Sequence, residues 1–177
     1  MYFKNFEKGF YDLKGDGNLK LVTDLMTRVK VREKIVDEAS LYDKYDVPSG
    51  ERPEDTAFKH FGSSQYHWVI LLSNNITDAF YDWPMSEQEF ETFINDKYSN
   101  PDAIHHYELT QSSGKLTGSG PDDYSHKIEV NSDATGAESV SNRQYEQRIQ
   151  DKKRSINLLN PAYLTAFIEE FDNLVRN

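Results

Sequence analysis

The sequence predicts an α+β fold: a small βααβ core carrying an N-terminal extended arm, a β-hairpin insertion and C-terminal helices. Three stretches carry that expectation. GERPEDTAFKHFGSSQYHWVILLSNNI (residues 50–76) holds two short helical patterns joined at Gly62. Residues 104–109 and 124–130 read as strands on either side of a Gly/Ser/Asp-rich run, SSGKLTGSGPDD. Near the end, Tyr163, Leu164, Phe167, Ile168, Phe171, Leu174 and Val175 recur every three or four residues, a wide apolar helical stripe.

Composition limits what such a fold can do. Of 177 residues, 37% are hydrophobic and 13% aromatic, so Tyr and Phe must supply much of the burial. The net charge is −10, the wrong sign for a protein that binds nucleic acid or an anionic membrane through Lys and Arg. The acidity is concentrated centrally: residues 47–100 carry nine acidic and three basic side chains. The absence of cysteine excludes a disulfide framework and a thiolate zinc site. The longest wholly apolar run is residues 68–72, far short of a membrane span, and MYFKNFEKGF lacks the apolar stretch of a signal peptide. The chain is expected to fold in a reducing cytoplasm without touching a membrane.

Element by element, residues 1–20 read as an extended arm or hairpin that turns at KGDGN (residues 14–18) and whose Phe3, Phe6, Phe10 and Tyr11 need a surface to cover them. Residues 19–31 fit either strand alternation or one helical face. Tyr42, Tyr45 and Val47 suggest a short strand before a Pro48-Ser49-Gly50 turn. Pro53, Glu54 and Asp55 suit a helix start, and Gly62 suits its left-handed end. A second helix over 64–73 is apolar nearly all round, with Asn74-Asn75 as its stop. Phe61, Trp68, Ile70, Leu71 and Trp83 are the expected core. Ser86 and Glu89 have capping-box spacing and open a helix ending near Tyr98. Residues 131–139 read as a flexible connector and 144–156 as a charged helix. Asn160 and Pro161 open the last helix. The expected organisation is an arm and docking segment at 1–40, a core with its following helix at 41–100, the hairpin insertion with a flexible tip at 101–140, and a helical segment at 141–177.

Nothing in this pattern asks for catalysis, a metal or a cofactor. His105-His106 is the densest donor pair, but strand alternation would point the two rings to opposite faces. The carboxylates sit at helix starts and turns, where capping accounts for them. The Ser/Gly runs lack a nucleophile elbow or a phosphate-loop lysine. The turn at 12–18 is only loosely like a calcium loop.

Two resemblances add to this reading. The outline of residues 50–76, with Gly50-Glu51 at a turn, Phe61-Gly62 closing one helix and Asn74-Asn75-Ile76 following the next, is similar to a LysM domain. The longer pattern resembles the baseplate wedge subunit of T-even-type contractile-tailed bacteriophages. It is carried by Arg52-Pro53-Glu54, by YHWVILLSN (residues 66–74) and by Tyr81-Asp82-Trp83-Pro84. VTDLMTRVKVRE (residues 22–33) and RSINLLNPAYLTAFIEEFDNL (residues 154–174) share the likeness, whereas 91–140 match nothing in it. The resemblance implies a structural, non-enzymatic virion protein of the tail baseplate, with a LysM-like core, made in the host cytoplasm. It would clamp other baseplate wedge proteins into a six-fold ring. Partner contacts are expected from Phe3, Phe6 and Phe10 in the arm and from Leu158, Leu159, Tyr163, Phe167 and Phe171 at the other end. The alternative for that stripe is closure of the chain's own core. The competing function is a LysM-type module binding peptidoglycan or another glycan. The bulky Arg52-Pro53 in place of the usual groove lip disfavours it.

Overall fold

The computed structural model describes residues 3, 6–26, 29–31, 40–115 and 120–175. Residues 32–39 and the 116–119 tip of the expected insertion hairpin lie outside the described residues. The fold is α+β, and the chain divides into two units, 1–84 with 153–177, and 85–152.

The first unit is organised on one antiparallel pair, β3 (Tyr42–Asp46) with β7 (Ser155–Leu159), in the register Tyr42↔Leu159 to Asp46↔Ser155. Val47 N–H extends the ladder by donating to the Arg154 carbonyl at 2.9 Å. Between these strands in sequence come α1 (Pro53–Phe61) and α2 (His67–Ser73), linked by a 3-10 turn at Ser64–Tyr66. Pro53 occupies the first turn of α1, where a missing N–H costs nothing, and Asp55 accepts from the Arg52 N–H at 3.3 Å. Gly62 ends α1 with φ 76°, a conformation that a side chain would strain.

The pleat explains the core. Val47, Ile156 and Leu158 pack with Ala57, Ile70 and Trp83. Tyr42 and Leu159 join Phe6, Trp68, Val69, Phe171 and Val175 in an adjoining cluster. Val69 and Ile70 are fully buried, each such side chain contributing roughly 1.5–3 kcal/mol. Phe61 and Leu71 are half-buried and pack against these clusters. Two polar devices lock the arrangement. The Trp83 indole N–H donates to the Glu51 carbonyl at 2.8 Å. The Glu51 carboxylate, buried, accepts from Tyr45 Oη at 2.9 Å, Thr56 Oγ1 at 2.7 Å and Lys59 Nζ at 2.5 Å. Burial alone would push its pKa up, but those three donors outweigh it and hold the carboxyl below its ordinary value.

The Asn74-Asn75 stop has a specific job. Asn74 Nδ2 donates to the carbonyls of Ile70 (2.9 Å) and Asn157 (2.8 Å), and Asn74 Oδ1 accepts from the Asn157 N–H at 2.8 Å. The side chain therefore pairs with β7 as another strand would. Asn75 takes the left-handed conformation, φ 54°, letting the Ile76 N–H reach back to the Leu71 carbonyl at 2.8 Å. The LysM plan would bring a returning strand soon after this point. Residues 77–83 instead form turns, and the strand that returns is β7. The helix expected over 144–156 consequently stops at Arg154, because Ile156 and Leu158 are drawn into pairing with β3.

The second unit contains α3 (Glu87–Lys97), a sheet ordered β5-β4-β6 from β4 (Ile104–Gln111), β5 (His126–Val130) and β6 (Glu138–Ser141), and most of α4 (Asn142–Arg154). Ser86 and Glu89 form the expected capping box. A second reciprocal pair, Ser141 with Gln144, starts α4. β6 lies where part of a flexible connector was expected. Its sequence, ESVS, shows little apolar alternation, and pairing with β4 specifies it.

Polar bonds do much of the binding in this unit. Glu146 is buried, meeting Lys97 Nζ at 2.6 Å and Tyr98 Oη at 2.8 Å. Arg143 pairs with Glu91 and Asp102. Glu108 accepts from Arg148 at 2.6 Å, with His106 at 3.0 Å and Lys127 at 3.3 Å. After the second unit the chain re-enters the first through β7 and closes with a 3-10 turn at Pro161–Tyr163 and α5 (Leu164–Val175).

Two outcomes follow from these polar contacts. Asn74→Ala removes three hydrogen bonds and strands buried partners, so urea unfolding should show a loss of roughly 2–3 kcal/mol. Asn74→Asp, which keeps the shape but not the amide donors, should lose a comparable amount. In the second unit, the hydrogen bond from Arg148 outweighs burial and, with those from His106 and Lys127, lowers the Glu108 carboxyl from 4.5 to about 2. A lowered folded pKa stabilises fully above the unfolded value and is lost as pH falls through the folded one. Amide-exchange protection in β4 and β5 should therefore decline from about pH 4.5 toward pH 2, and Glu108→Gln should flatten that decline.

Candidate protein-docking surfaces

The arm folds as a hairpin, β1 (Lys8–Tyr11) with β2 (Lys20–Thr23), paired Lys8↔Thr23, Gly9↔Val22, Phe10↔Leu21 and Tyr11↔Lys20. Directly opposed residues share a face and successive residues alternate, so Phe10 and Leu21 lie on one face and Tyr11 and Val22 on the other. Both faces are open: Phe10 is 73% exposed, and Tyr11, Leu21 and Val22 are exposed too. Leu13 and Leu19 near the turn, and Leu25 and Met26 beyond β2, continue this apolar surface.

The turn of this hairpin is built by Asp12. Its carboxylate accepts from the N–H groups of Lys14 (3.1 Å), Gly15 (2.7 Å), Asp16 (3.3 Å) and Gly17 (2.7 Å). The bond from Gly17 leads in holding the Asp12 carboxyl below its usual range. Those oxygens stitch the backbone of the turn. The root of the hairpin is equally defined: Phe6 is buried, with its ring 6.1 Å from that of Phe171 and 5.5 Å from that of Phe3.

The expected contact residues thus fall into two groups. Phe3, Phe10 and Tyr163 are exposed. Phe6, Leu158, Leu159 and Phe171 are buried within this chain, and Phe167 packs half-buried against the same cluster. Trp68 lies 4.7 Å from the Phe171 ring and 6.3 Å from Phe167, so the inner side of α5 is its core side. Of the residues expected in the core, Trp68, Ile70 and Trp83 are buried, while Phe61 and Leu71 are half-buried.

The histidine pair departs from simple alternation. A register shift between Ile104 and His106 bulges β4, and the two Nδ1 atoms meet at 2.8 Å. His105 stacks on Tyr145 with ring centres 4.1 Å apart. His106 Nε2 donates to the Glu108 carboxylate at 3.0 Å. No group of three or more His, Cys, Asp or Glu placed to hold a metal ion occurs among the described residues. No helix among them is long and apolar enough to cross a membrane.

Sequence reasoning singled out Tyr81-Asp82-Trp83-Pro84 as a family mark but gave neither its Tyr81 nor the preceding Phe80 a role of its own. Phe80 is 91% and Tyr81 73% exposed. The signal was present in Asp78 and Asp82, spaced to cap the turn that displays them.

Comparison with known proteins identifies the setting of these surfaces. A family model described as base plate wedge protein 53 matches residues 13–115, more than half of the chain. That stretch begins within the hairpin turn and runs through α1, α2 and α3 to just past the end of β4. Baseplate wedge protein gp53 of Enterobacteria phage T4 is 32% identical over 56 residues, a stretch covering 32% of this chain and 29% of that protein. The aligned stretch is thus well under two thirds of the relative's length. Because the family match spans more than half of the chain, the chain belongs to the base plate wedge protein 53 family.

Proposed function

We propose that this protein is a non-catalytic clamp of the phage tail baseplate, joining neighbouring wedge proteins into a six-fold ring, with the β1–β2 hairpin as its gripping arm. One observation carries the reading: a two-stranded hairpin with apolar side chains open on both faces, rooted in the core through Phe6. An isolated two-stranded ribbon is marginal in water and gains stability when another sheet or helix covers it. Large apolar surfaces of this kind are typical of obligate assemblies. Family membership supplies the class of partner, other baseplate wedge proteins in the virion, and the acidic balance disfavours nucleic acid.

The apolar stripe of α5 has a different role in this proposal. Phe171 and Val175 close the chain's own core, so the helix braces the arm, and any contribution to docking falls to the exposed Tyr163 in the 3-10 turn before it. The glycan-binding alternative would stack a sugar on the Trp68 ring, and that ring is buried against Phe171 and Phe167.

The test separates grip from fold. Phe10→Thr with Leu21→Thr, which keeps strand-forming residues at this directly opposed pair, should leave the melting temperature nearly unchanged, since both residues are exposed. It should reduce co-purification with co-expressed wedge proteins at least tenfold. Unimpaired assembly by that double variant would sink the clamp reading. Phe171→Ala should instead destabilise the isolated chain by roughly 3–5 kcal/mol, measured by chemical denaturation, because it empties a buried site.

A further inference from the structure

We propose that Phe80 and Tyr81 form a second, rigid anchor that inserts into an apolar pocket with a basic rim on another wedge protein. This rests on the clamp reading and names a contact that the reading does not include. The motif DAFYDWP (residues 78–84) folds as a turn tied by its own carboxylates. Asp82 Oδ2 accepts from the N–H groups of Thr77 (3.3 Å) and Asp78 (3.2 Å), and Asp78 Oδ1 accepts from those of Phe80 (2.9 Å) and Tyr81 (3.4 Å). The Asp82 N–H then closes onto the Asp78 carbonyl at 2.8 Å. Lys153 Nζ donates to the Tyr81 carbonyl, and Trp83, the next residue, is buried and bonded to Glu51.

The backbone beneath the two aromatics is therefore fixed from both sides, while their rings stand in solvent. That combination separates an anchor from a loose loop. Ordering a flexible segment on binding costs conformational entropy, and here the turn is already ordered. Phe and Tyr add large contact area with few rotatable bonds, and Tyr has a hydroxyl suited to a wet rim.

Charge selects the partner. Asp78 and Asp82 bring two carboxylates to the base of the anchor, in a segment with nine acidic and three basic side chains over residues 47–100. Lys153 offsets part of this locally. A complementary surface places Lys or Arg around the pocket mouth, which favours encounter and excludes like-charged surfaces. A second copy of this chain, itself at net charge −10, fits that requirement poorly.

A photo-crosslinking phenylalanine analogue placed at position 80, and separately at position 10, in the full chain co-expressed with the phage's own wedge proteins tests this directly. Crosslinks from both positions are expected, with those from 80 mapping by mass spectrometry to an apolar, Lys/Arg-bordered segment of a wedge protein. Phe80→Ala should keep the parental melting temperature yet weaken co-purification at least tenfold, increasingly so as salt is raised. Crosslinking at 10 alone, capture at 80 of only a second copy, or Phe80→Ala binding within twofold of the parent overturns the anchor and leaves the arm intact. Crosslinking at 80 alone supports the anchor and removes the arm. Silence at both positions overturns both.

Discussion

The pairing of β3 with β7 is the constraint on which the first unit depends. Two five-residue strands from distant parts of the chain must meet in one register before either core cluster exists, since each cluster takes residues from both strands. Loop-closure entropy opposes that meeting, and a strand pair this short cannot offset it alone. The structure supplies the difference locally. Asn74 hydrogen-bonds the backbone of β7 at Asn157, and Arg154 donates from Nε to the Val47 carbonyl at 3.1 Å. Once β7 is seated, α5 follows directly and brings Phe171 against Trp68 and Phe6. The root of the hairpin is thus held by the same event that completes the sheet.

The two units are stabilised by different means. In the first, large apolar side chains interlock and the buried Glu51 is satisfied by three donors. In the second, α3, the sheet and α4 are joined through Glu146, Arg143, Glu108 and the histidine pair, with a few buried apolar residues such as Phe90, Ile94 and Val140. A chain with modest aliphatic content has concentrated it where the strands close and used charge elsewhere. Breaking one member of such a polar set leaves its partners unsatisfied, so the set imposes geometry even where its net energy is small.

Local chemistry was legible in the sequence; distant pairing was not. Pro53, Gly62, Ser86 with Glu89, and Asn160 act on backbone groups within a few residues, so their roles can be read from spacing alone. The stripe of α5 was equally plain, though periodicity shows that a face is covered and not by which chain. β7 was hidden because SINLL follows a charged helical run and its alternation becomes meaningful only opposite β3. That is why Leu158 and Leu159 looked free for a partner. The contact between the two histidine rings was hidden for a related reason: one bulged residue breaks the two-residue period, and a bulge arises from the pairing of β4 with β6. Of the candidate docking surface, the aromatic character of the arm was readable from Phe3, Phe6 and Phe10. The division between a buried root at Phe6 and an open blade at Phe10 required the fold.

The bond from Lys153 to the Tyr81 carbonyl fastens the two stems from which residues 85–152 leave and rejoin the first unit. Because those stems are already clasped, what is strung between them adds little further closure cost so long as it folds on its own. The position suits a cassette: a change of length within the inserted material leaves the paired strands undisturbed. The paired strands and the inserted part are therefore free to diverge at different rates.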